Sequence, residues 1–132
     1  MATVNERLHT DALITLLKAA GLTVGDAVAP NTAPPYVIVY PLDSGRDGPV
    51  SAPHDDSRMG WQTTCVGSSR EQAQWLVDKV EATVLPASLP VAGRFVGHAV
   101  REPGRGVGRD DNTGGPPRFF AAPRWSMWST PA

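Results

Sequence analysis

The chain has 132 residues, 41% of them apolar and 19% charged, with a formal net charge of −1. That length fits one folding unit, able to bury roughly two-thirds of its unfolded surface without metal or disulfide support. A single cysteine excludes an internal disulfide, the start "MATVNERLHT" lacks the basic-then-apolar order of a secretory signal, and the longest strongly apolar run, "YVIVY", is far too short to span a membrane, so a soluble intracellular protein is expected.

The segment "TVNERLHTDALITLLKAAG" reads as a helix. Thr3 and Glu6 stand at capping-box spacing, which would satisfy two of the donors left open at a helix start. Leu13, Leu16, Leu17 and Ala20 recur at i, i+3, i+4 and i+7, and Val4, Leu8 and Ala12 extend the stripe. Gly21 follows as a natural C′ residue. His9 lies inside this helix, and an exposed or capping role is expected of it.

"PPYVIVYP" is a strand bounded by prolines. Tyr36, Ile38 and Tyr40 face one way and Val37 and Val39 the other, so both faces are apolar and the strand is central or covered on both sides. A polar connection, "LDSGRDGPVSAPHDDS", leads to the strand "RMGWQTTCVG". There Met59, Trp61, Thr63 and Cys65 alternate with Arg58, Gln62 and Thr64, the pattern of a half-buried strand.

"SSREQAQWLVDKVEATVLP" is the second helix, with Ser68 and Glu71 at capping-box spacing and Pro86 as its stop. Ala73, Leu76, Val77, Val80 and Val84 form its core stripe. Trp75 lies about 200° from Ala73 at the helical repeat, on the side it shares with Gln72, Lys79 and Ala82. "LPVAGRFVGHAV" reads as a third strand weakened by glycine. "RFFAAPRWSMWSTP" reads as a fourth, with Trp125 and Met127 on one face and Trp128 on the other, and Pro123 calls for an edge position or a bulge.

Between these two strands lies "REPGRGVGRDDNTGGPP", residues 101–117, with five glycines, three prolines and three arginines. It reads as a flexible surface loop that can be removed without unfolding the rest. The order α-β-β-α-β-β gives an α+β fold: a single domain over residues 1–132, with two helices packed on a mainly antiparallel four-stranded sheet and a long Gly/Pro/Arg loop.

The residue types offer little chemistry. Cys65 sits on the apolar face of a strand and reads as a small buried hydrophobe. His54 and His98 have no sequence-level tie to it. The run His54-Asp55-Asp56 lacks a spaced partner for a metal. "GRGVG" precedes a strand rather than a helix, and Asp110 and Asp111 would repel a phosphate, so no nucleotide cradle is expected. No catalytic, cofactor-binding or metal-binding residue is expected. Charge, however, is segregated. Residues 1–93 carry six Lys/Arg against ten Asp/Glu, while residues 94–132 carry six arginines against three acids. Arginine suits planar contacts to carboxylate or phosphate.

Two stretches, "APPYVIVYPLDSGRDGPV" from Ala33 and "MGWQTTCVGSSREQAQWLVDKVEATVL" from Met59, carry a resemblance. With the N-terminal helix they resemble the tail terminator (tail completion) family of long-tailed bacteriophages, over roughly residues 4–85. The resemblance implies a virion protein and not an enzyme. It implies a homohexameric ring, assembled in the host bacterial cytoplasm, that caps the head-proximal end of the tail tube and stops its polymerisation. Its implied partners are copies of itself, the major tail tube protein and the head–tail connector, with DNA passing through the lumen without sequence-specific binding and with no membrane involved. Within that frame Trp75, Gln72 and Lys79 are the expected oligomer interface, and Arg101, Arg105, Arg109, Asp110 and Asp111 the partner- or lumen-facing loop. Other head–tail joining or head-closure proteins are the alternative, and a small ligand-binding or hydrolase domain using His98, Cys65 or His54-Asp55-Asp56 a more remote one.

Overall fold

The computed structural model describes residues 5–52 and 54–132. Helix α1 spans Glu6–Ala19 and is capped by Asn5, whose side chain accepts from the amide of Leu8. Thr3 and Val4 lie outside the described residues. The helix ends as its sequence directs. Gly21 takes a φ of +85°, the amide of Leu22 reaches the carbonyl of Leu17, and that of Gly21 reaches Lys18. These two bonds close a Schellman cap. Helix α2 spans Arg70–Val84, and its cap is Ser69 rather than Ser68. Gln72 completes this start: its side-chain oxygen accepts from the amide and hydroxyl of Ser68 at 2.7 and 2.9 Å.

The strands are β1 (Val24–Asp26), β2 (Tyr36–Pro41), β3 (Gly45–Asp47), β4 (Asp56–Gly67), β5 (Arg94–Val96), β6 (Val100–Asp110) and β7 (Arg118–Pro131). They form one seven-stranded sheet in the order β1-β2-β4-β7-β5, with β3 also pairing β4 and β6 also pairing β7. Only β1–β2 is parallel. The expected four-stranded sheet is therefore corrected to a mixed sheet of seven. β1 and β3 are three residues long, too short to show alternation. β6 shows none because nearly every side chain on it is exposed, so backbone pairing with β7 alone marks it as a strand.

The largest correction falls on residues 101–117. Residues up to Asp110 belong to β6, and only 111–117 form a connection. Two register shifts in β6 flank Arg105, the first of them opposite Pro123. Pro123 thus occupies an inner strand and meets a bulge on its neighbour, because it has no amide to offer a regular ladder. Gly104 serves close approach: a Cβ there would stand 2.1 Å from the carbonyl oxygen of Ala122.

Both helices pack on one face of the sheet. Leu13 and Leu17 of α1 and Leu76, Val80 and Val84 of α2 meet Val37, Val39, Met59, Cys65 and Met127. Trp61 and Trp125 stand directly opposite each other on β4 and β7, each about 1% exposed. Their indole N–H groups donate to Thr10 and Thr63 at 3.1 and 2.9 Å. The other face carries a smaller cluster of Tyr36, Ile38 and Val66, flanked by Tyr40 and Phe120. No described helix is long and apolar enough to cross a membrane.

Gly104→Ala should lower stability by about 1–3 kcal/mol, since the added methyl forces the bulge apart. Deleting Gly104–Gly115 should lower it further, because it removes all of β6 beyond Pro103. Urea unfolding checks both, and unchanged midpoints would show that β6 contributes nothing to the fold.

Candidate functional site

The expected interface residues divide. Trp75 stands 53% exposed on the solvent side of α2, and Lys79 beside it is exposed. Gln72 is half-buried with its carbonyl engaged at the helix start, which makes it part of the cap more than part of an open surface.

The arginines fall on two sides of the β6–β7 ribbon. Arg101 pairs with Glu81 of α2 at 3.2 Å and so ties β6 to the helix layer. Arg109 pairs with Asp111 at 2.6 Å and lies near the ring of Phe119. Asp110 accepts from the amide of Asn112, closing the turn that follows β6. Arg105 lies over the ring of Phe120 at 5.0 Å, and Arg118 over that of Tyr36 at 5.7 Å while donating to its hydroxyl at 2.8 Å. Stacking on aromatic faces orders a guanidinium while leaving N–H groups free to bind. Glu102 is shared between Arg58 at 2.6 Å and the Ser126 hydroxyl at 2.9 Å. The Ser126 hydrogen bond, and then Arg58, hold its carboxyl below the usual range.

A second exposed set escaped the sequence reading. Phe95, Val100 and Trp128 are 69%, 58% and 49% exposed. Val100 stands opposite Ser126 and Phe95 opposite Thr130, which puts both on the open face with Trp128. The outward position of Trp128 was legible; Phe95 and Val100 lay in a segment too broken by glycine to assign faces.

The candidates for chemistry do not converge. Cys65 is fully buried, and burial pushes its thiol up to about 12. His54 is exposed in the loop before β4. His98 lies between β5 and β6, off any strand, with Nδ1 3.1 Å from the carbonyl of Ala87. Among the described residues, no three His, Cys, Asp or Glu side chains gather closely enough to hold a metal ion.

His9 departs most from expectation. It stands four residues before Leu13 and eight before Leu17, so it shares their buried stripe and is wholly enclosed. Its Nδ1 lies 2.6 Å from the carbonyl of Asn5, a bond only an Nδ1–H can make. Nε2 then accepts the Ser129 hydroxyl at 2.7 Å, and Ser129 in turn accepts from Arg94 Nε at 2.9 Å. Arg94 also donates to the carbonyls of Asp55 and Ser129 at 2.7 and 2.8 Å, leaving Nη1 without a partner among the described residues. A serine bonded to a histidine has the outline of a nucleophile and its base. Here both are 0% exposed, so no substrate reaches them and the pair is a structural tie.

No family model matches the chain, and no curated protein matches it significantly in sequence. Among solved structures, it resembles a chain from the virion of a native gene transfer agent particle, at 14% identity and a TM-score of 0.60. The match covers 86% of this chain and 84% of that one.

Burial first, and then Arg94, hold the pKa of His9 below the ordinary 6.5. The unfolded chain therefore takes up this proton before the folded one. The contribution is complete above about pH 6.5 and is lost as the pH falls toward the folded value. Urea unfolding should show stability declining as the pH falls below about 6.5, with a shallower decline in His9→Gln. Equal slopes in the two proteins would show that His9 titrates alike in both states.

Proposed function

We propose that this chain is a structural protein of a phage-like virion, and within that class a tail terminator. In this reading it forms a hexameric ring at the head-proximal end of the tail, stops growth of the tube and meets the head connector, while DNA passes through the lumen. The observation that carries the reading is the shared fold: most of this chain superposes on most of a chain from a gene transfer agent virion. The sequence resemblance over residues 4–85 supports the narrower assignment.

The surfaces supply what such a role requires. Subunits of a ring meet through two different patches. Trp75 protrudes from the helix layer, and Phe95, Val100 and Trp128 from the open sheet face. Removing an aromatic side chain of this kind from water is worth about 1.5–3 kcal/mol, and tryptophan is over-represented where binding energy concentrates. The role is one of assembly and needs no turnover, in keeping with the enclosure of Cys65, His9 and Ser129.

Electron microscopy of the purified protein, alone and with a tail tube protein, should show closed rings seated on tube ends. Protein that stays monomeric in both samples would overturn the reading. Trp75→Ala should weaken ring formation by about tenfold or more while leaving the unfolding midpoint in place. Rings of undiminished stability in light scattering would remove Trp75 from the interface.

A further inference from the structure

We infer that the open β6–β7 face of one subunit docks on an acidic cleft beside α1 of a second copy. This deepens the ring reading above and rests on it. On that face Arg105, Arg118 and Arg124 make no ion pair among the described residues. Arg105 and Arg118 are pre-ordered on aromatic rings. Glu102, the acid nearest Arg124, is already engaged with Arg58 and Ser126. Asp110, opposite Arg118 in the ladder, accepts instead from the Asn112 amide, so the face presents ordered cations that are not engaged in ion pairs.

Matching acids stand beside α1 of the same molecule. Between α1 and the sheet, from Asp26 of β1 across to Met59 and Trp61 of β4, is a cleft of about 470 Å³ whose lining includes Glu6, Asp11, Asp26 and Asp43, with Arg7 as its one cation. Glu6 is held by Arg46, but Asp11, Asp26 and Asp43 make no ion pair among the described residues. These carboxylates are spread along the cleft rather than gathered on one point, which suits a row of guanidinium groups better than an ion.

Arg124 shares a pocket with Asp43, and Arg118 reaches Tyr36 of β2, so Arg105 is the cation that stands farthest from the cleft. From β1 to β6 the sheet takes four inter-strand steps, through β2, β4 and β7. At ~4.8 Å each, that is ~19 Å. Complementary patches in different places make a head-to-tail contact, which closes into a ring or extends as a chain. A second copy fits better than a nucleic acid. The chain is near neutral overall, and the rings of Tyr36 and Phe120 are already covered by arginine.

Charge reversal tests the pairing. Arg105→Glu with Arg118→Glu, or Asp11→Arg with Asp26→Arg, should each weaken self-association about tenfold or more in sedimentation velocity. Mixing the two reversed proteins should restore it, because each then meets its opposite in an alternating ring. Circular dichroism must show both variants folded. As a second measurement, Asp26→Cys combined with Arg105→Cys in one chain should give a ladder of disulfide-linked oligomers on mild oxidation. The separation is too great for a bridge within one chain, and buried Cys65 stays silent. Wild-type rings that ignore both reversals would overturn this inference and leave the ring reading standing. Salt-sensitive pairing that yields only open chains, never capped tubes, would keep the inference and overturn the ring. Reversed arginines that abolish DNA binding and leave assembly intact would assign the face to DNA instead.

Discussion

The β4–β7 ladder is the constraint on which everything else is hung. It runs from Ser57 opposite Ser129 to Gly67 opposite Phe119. At its middle the two largest side chains of the core, Trp61 and Trp125, stand side by side. An indole in a dry interior must place its N–H, and here each finds a threonine. Thr63 also donates to the carbonyl of Pro123, so this residue, which has no amide to offer, is still bonded across the strands. A slip of one residue would turn both rings to the open face and strand both hydroxyls, so the register is strongly fixed. The helices pack on what this register presents, and the arginines of the open face are placed by the same alternation.

A second tie holds the ends of the chain together. His9 near the start, Arg94 in the short β5 and Ser129 near the end share one hydrogen-bonded path. The buried guanidinium has carbonyl and hydroxyl oxygens around it and no carboxylate among the described residues. Such a cation is costly to enclose unless its geometry is closely matched. The network therefore favours one docking of α1 and β5 against β7 over near alternatives.

How much of this could be read from residues alone depended on whether an element buried a face. Both helices were legible, with caps displaced to Asn5 and Ser69, because their apolar stripes repeat every three to four positions. β4 and β7 were legible at a period of two, and β2 as an unbroken apolar run between prolines. β6 was not: with no face to bury, its side chains record nothing about its backbone, and its glycines imitated a mobile loop when one of them, Gly104, marks a close crossing. His9 was misjudged because its partners lie far along the chain, Ser129 being 120 residues away. On the candidate surfaces, the exposure of Trp75 followed from helical geometry alone. The pairing of Arg105 and Arg118 with particular rings, and the gathering of acids beside α1, are products of topology that no local pattern encodes.

The irregularity of β6 has a meaning for growth. A strand of 11 residues with one unpaired edge is ordinarily a template, and each copy that adds to it exposes the same template again. Two register shifts and a crowded glycine break the even spacing of outward amides and carbonyls, so a straight strand laid along this edge loses its partners within a few residues. Backbone zippering is closed off, and contacts through side chains are what remain. Such contacts saturate once the matching charges are used up, and they answer to ionic strength. An edge interrupted in this way cannot itself propagate a chain of copies.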